Sequence, residues 1–91
     1  MEQYSQIVSQ IIKDQEAIIG PIALEQAKRV AGLEIVDLGS IKIKGNIKDV
    51  LSSLVEQYAK LFGKASIEVC REAVRGTKLQ FPQDQLPDIL R

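Results

Sequence analysis

The sequence predicts a small, mostly helical α+β domain, with four helices arranged as two pseudo-repeated helix–Gly–helix units linked by a two-stranded antiparallel β-hairpin. Three observations predict it. Two long stretches carry apolar residues at three- and four-residue spacing, and a glycine interrupts each of them. The segment between them alternates apolar and polar residues with a period of two. A shift of 43 residues lays the first stretch on the second with both breaks in register.

The first stretch places Tyr4, Ile7, Val8, Ile11, Ile12, Ile18 and Ile19 on one helical face. It ends at Gly20-Pro21, where Pro21 suits the first turn of a new helix because that position needs no N–H donor. The second helix is expected to run to about Ala31 and to stop at Gly32 in a left-handed conformation. From Leu33 the period changes, so residues 33–45 form the hairpin. A three-residue Asp37-Leu38-Gly39 loop, with Gly39 left-handed in a bulge, sets Ile35 opposite Ile41 and Glu34 opposite Lys42. One face is then apolar and covers the helices. Asn46 is the N-cap of a third helix, with Asp49 at its positive end. Its stripe is Ile47, Val50, Leu51, Leu54, Val55, Tyr58, Leu61 and Phe62. Gly63 breaks it, and a fourth helix runs from about Lys64 to Arg75. The single helical domain is thus expected over 1–78, and the Pro-punctuated tail 79–91 is expected to dock on it or on a partner.

Under the shift of 43 residues, Ser9 falls on Ser52, Gly20 on Gly63 and Glu25 on Glu68, and the apolar stripes coincide. Each unit alone would leave an apolar face in water; two units cover each other.

Composition limits the chemistry. Of 91 residues 45% are hydrophobic but only 4% aromatic, so the core is aliphatic. Twelve basic residues balance twelve acidic ones, which argues against broad attraction to nucleic acid or anionic membrane. There is no histidine, which removes Ser–His and Cys–His nucleophile pairs, imidazole metal sites and phosphohistidine relays. The single Cys70 sits on an apolar helix face and is expected to be a buried thiol; one cysteine suits a reducing, cytoplasmic setting. No apolar run approaches the roughly 20 residues of a membrane span. No glycine-rich phosphate loop occurs. No cofactor, metal site or catalytic set is expected, and the chain reads as a non-enzyme. Glu25 and Glu68 are expected to pair with basic residues a turn later on their own helices.

What remains is interaction. Helices two and four carry small residues, Ala23, Ala27, Ala31, Ala65, Cys70 and Ala73, which suit central positions. They also carry Ile22, Leu24 and Val69 on other sides, and apolar residues on several sides imply a second covering, best supplied by another copy. The expected partner surface is Ile22, Leu24 and Val69 with Leu79, Phe81, Leu86, Ile89 and Leu90 of the tail. The expected function is a homodimeric protein–protein interaction or assembly module, with another protein able to engage the tail. The alternative is a small nucleic-acid-binding or regulatory protein using an anionic-partner patch of Lys42, Lys44, Arg71 and Arg75.

Overall fold

Both long helices form where their stripes require them. In the computed structural model, which describes residues 2–37, 39–76 and 90, α1 spans Glu2–Ile19 and α3 spans Ile47–Phe62. Their stripes meet in one core: Ile7, Val8, Ile11 and Ile12 from α1 and Val50, Leu51, Leu54, Val55 and Tyr58 from α3 are buried. Each long helix ends at a glycine with positive φ, Gly20 at +80° and Gly63 at +83°, and each is followed by a shorter helix. These are α2, Ile22–Ala27, and α4, Lys64–Gly76. A left-handed residue reverses the helical path within one position, and glycine does so without a Cβ penalty. α4 packs against both α1 and α3, and so does α2.

The second helix is shorter than its periodicity suggests, ending at Ala27 instead of near Ala31. The N–H groups of Arg29 and Val30 donate to the carbonyls of Gln26 and Ala27, a tighter three-residue pattern that turns the chain. This turn buries Val30 at 6% exposure and leaves Ala31 exposed, so Ala31 is not a central small residue. Ala65 is exposed as well, whereas Ala23, Ala27, Cys70 and Ala73 are buried as expected.

The hairpin consists of β1, Leu33–Asp37, and β2, Ser40–Ile43, paired antiparallel. Glu34 faces Lys42 and Ile35 faces Ile41, the register that the two-faced pattern demands. The turn reaches that register differently. Asp37 pairs with Ser40, so the loop has two residues, and the extra residue is Val36, bulged between Ile35 and Asp37. Gly39 does not adopt positive φ. Its N–H donates instead to Asp37 Oδ1 at 2.7 Å, so the carboxylate closes the turn that a left-handed glycine was expected to close. Leu33 and Ile41 are buried and Ile35 and Ile43 half-buried, while Glu34 and Lys42 face solvent. The hairpin lies on α1, where Ser5 Oγ donates to the Ile41 carbonyl at 3.1 Å.

Asn46 caps α3 as expected: its extended backbone lets Oδ1 accept from the N–H groups of Lys48 and Asp49 at 2.8 and 3.3 Å. Asn46→Ala should lower unfolding free energy by about 1 kcal/mol in urea titration, and Asn46→Asp should retain most of it. Equal loss in both variants would contradict the cap assignment.

Leu90 is buried at 4% exposure within the core cluster. Residues 77–89 and 91 lie outside the described residues, and with them Leu79, Phe81, Leu86 and Ile89 of the expected partner surface.

Candidate functional site

Each long helix continues its stripe beyond its fully buried part, and on α1 Ile19 still packs half-buried against the core. Ile18 lies two turns after Ile11, and Leu61 and Phe62 lie two turns after Leu54 and Val55, so all three keep the angular position of core residues. They do not keep the burial. Ile11, Leu54 and Val55 are fully buried, whereas Ile18 is 66% exposed, Leu61 48% and Phe62 37%. Ile22, just past the first corner, is 38% exposed.

A polar layer closes the core at this level. Gln15 follows Ile11 on the α1 stripe and is buried at 1% exposure. Its Nε2 donates to the Ser66 carbonyl of α4 at 3.0 Å and contacts Cys70 Sγ at 3.4 Å. Tyr58 follows Leu54 on the α3 stripe, and its hydroxyl donates to the Ala23 carbonyl of α2 at 2.6 Å. Every buried side-chain nitrogen and oxygen among the described residues has a hydrogen-bond partner. The two bonds fix the start of α4 beside the end of α1, and the start of α2 beside the end of α3. The corners at Gly20 and Gly63 are therefore neighbours, and the exposed apolar residues flank them at one end of the molecule. Several large apolar side chains brought to one end of so small a domain make a candidate contact surface.

The charges there differ between the corners. Glu16 and Glu25 flank the first corner; Lys60 and Lys64 flank the second. No ion pair joins any of these four to another described residue. Ion pairs occur elsewhere: Glu34–Lys44 at 2.6 Å on the hairpin, and Glu68–Arg71 at 2.9 Å and Glu72–Arg75 at 3.1 Å on α4. Lys44 accordingly holds the Glu34 carboxyl below its ordinary range, with its hydrogen bond as the main cause. Three of the four residues of the expected anionic-partner patch thus meet a carboxylate, and the fourth, Lys42, faces Glu34 across the strands. Glu68 pairs with Arg71 as expected; Glu25 makes no ion pair with another described residue.

Of the expected partner residues, Ile22 belongs to the corner end. Leu24 is half-buried against the core and Val69 is half-buried on α4. Leu90 packs into the chain's own core. Ile18, Leu61 and Phe62 are the members that periodicity assigned to the core.

Cys70 is buried, and burial pushes its thiol up to about 11, against nucleophilic use. Burial also raises the Tyr58 hydroxyl well above its ordinary value of 10.0. No group of three or more metal-ligating side chains occurs among the described residues. A cleft of about 410 Å³ opens between the start of α1 and the β2–α3 connection, with Tyr4, Ser5, Ile41, Lys42 and Ile47 in its lining. The Ser5 hydroxyl is already engaged by the Ile41 carbonyl. No described helix is long and apolar enough to cross a membrane. No family model matches the chain, and no characterised protein or solved structure matches it either.

Proposed function

We propose that this chain is a non-catalytic protein–protein interaction or assembly module that works as a homodimer in a reducing, cytoplasmic setting. The observation that carries the reading is the set of large apolar side chains, Ile18, Ile22, Leu61 and Phe62, left in water beside two adjacent glycine corners. Ile18, Leu61 and Phe62 are each continuous with a buried stripe, so a covering partner would extend the core and not create a new one.

The two halves are read as copies of one helix–Gly–helix unit, and the hydrogen bonding supports that reading. The offset of 43 residues that carries Gly20 onto Gly63 also carries the Gly20 N–H···Glu16 bond onto Gly63 N–H···Ala59. It carries Ala23 N–H···Gly20 onto Ser66 N–H···Gly63. The long-range pair follows the same rule: residue 58 donates to the carbonyl of 23, and residue 15 to the carbonyl of 66. Such reciprocal contacts are those of an isologous, two-fold arrangement within one chain.

Light scattering over a range of concentrations tests the function. The expected mass is twice the 10.1 kDa of one chain. The double variant Ile18→Ser/Leu61→Ser should shift to the single-chain mass with its helical circular dichroism intact, because both side chains are exposed in the single chain, while the apparent Tm falls by whatever dimerisation contributed. A strictly monomeric wild type would sink the homodimer reading.

A further inference from the structure

We infer that the second copy seats end to end on the corner surface, with the Gly20 corner of each copy against the Gly63 corner of the other. This rests on the homodimeric reading and adds the place and the orientation. The two corners have the same build: an apolar residue from the last turn of a long helix beside a positive-φ glycine, Ile18 at the first and Leu61 and Phe62 at the second. Their unpaired charges are opposite; Glu68, the counterpart of Glu25 at the second corner, is paired with Arg71. Glu16 stands two residues before Ile18 and Glu25 three after Ile22, whereas Lys60 adjoins Leu61 and Lys64 stands two after Phe62. Lys13 and Glu56 carry the reverse signs but lie five residues back from Ile18 and Leu61, more than a helical turn away.

These four charges lack acidic or basic partners among the described residues, whereas Glu34 and Lys44 of the hairpin and Glu68, Arg71, Glu72 and Arg75 of α4 are paired. A two-fold contact repeats every interaction twice with the roles exchanged. If like corners met across the axis, Glu16 and Glu25 would oppose their own copies, and Lys60 and Lys64 theirs. If unlike corners meet, the acidic pair faces the basic pair at both places, and the apolar residues close between them. Zero formal net charge sets no long-range barrier to the approach of two copies. Charge complementarity of this kind fixes orientation more than it adds affinity.

Charge reversal with complementation tests the arrangement. Glu16→Lys/Glu25→Lys makes both corners basic, and Lys60→Glu/Lys64→Glu makes both acidic. Each variant alone should dimerise at least about tenfold more weakly than wild type. Mixed in equal amounts, they should form a heterodimer of near wild-type affinity, seen by native mass spectrometry with one variant isotopically labelled. Rescue requires both variants to fold, so it separates the interface from damage to the domain. If the half-buried Glu16 makes the first variant unstable, Glu25→Lys alone carries the same sign from an exposed position. A dimeric wild type whose variants each self-associate unchanged, or whose folded variants stay monomeric when mixed, overturns the corner-to-corner contact and leaves the homodimer standing. A monomeric wild type overturns both.

Discussion

Gly32→Ala should destabilise the domain by about 2–6 kcal/mol, since it combines a disfavoured backbone conformation with an over-packed contact, each costing about 1–3 kcal/mol. Gly32 has φ of +89°, and a Cβ there would come within 2.8 Å of both the Lys44 carbonyl oxygen and Val50 Cγ2. Neither neighbour can yield easily. The Lys44 backbone is tied to Gly32 itself by an N–H···O bond of 2.7 Å, and Val50 is 3% exposed in the core. Gly20 and Gly63 share the positive φ but have open space where a Cβ would stand. Alanine at either should therefore cost only about 1–2 kcal/mol, the conformational part alone. Urea titrations of the three variants check the ranking; equal losses at all three would contradict the close approach of hairpin, turn and α3 at Gly32.

Alkaline pH should unfold the protein through the polar layer beneath the corners. The Cys70 thiol has an ordinary value of 9.0 and is raised to about 11 in the fold, chiefly by burial. Between those values the folded chain holds a proton that the unfolded chain has lost. Unfolding free energy then falls as pH rises, by about 1.4 kcal/mol per pH unit, or about 3 kcal/mol in all. The stabilising difference is intact below pH 9.0 and lost by about 11. Tyr58 acts in the same sense from its ordinary value of 10.0 upward, because burial opposes phenolate formation. Stability measured in urea at successive pH values should bend downward near 9 and steepen beyond 10. Cys70→Ala should remove the first bend and leave the second. A variant that retains both bends would place the titrating group elsewhere.

How far the sequence determines these features depends on what periodicity encodes. Spacing gives the angular position of a side chain on its helix, and there α1 and α3 agree with the structure from Ile7 to Ile12 and from Val50 to Val55. Spacing says nothing about axial extent. Ile18 and Leu61 continue stripes whose fully buried part stops earlier, with Ile19 still half-buried against the core, so the end they expose was not legible. A signal was nevertheless present: Gln15 and Tyr58 put polar groups on the two apolar stripes at the level where the core closes. The hairpin register was legible because a slip of one residue would put Ile35 and Ile41 on opposite faces. Its turn was not, because an Asp37 carboxylate and a left-handed Gly39 are alternative ways to satisfy the same register. The early end of α2 depends on burying Val30 and aligning Gly32 with Lys44, both long-range demands that helix signals do not carry.

The corner end is the proposed working surface, and NMR of uniformly labelled protein over a dilution series examines it residue by residue. Amide shifts that change with concentration should cluster at residues 16–25 and 60–68, with the hairpin at 33–45 unmoved. Shifts confined to the hairpin, or none at any concentration, would contradict an interface built on the two glycine corners.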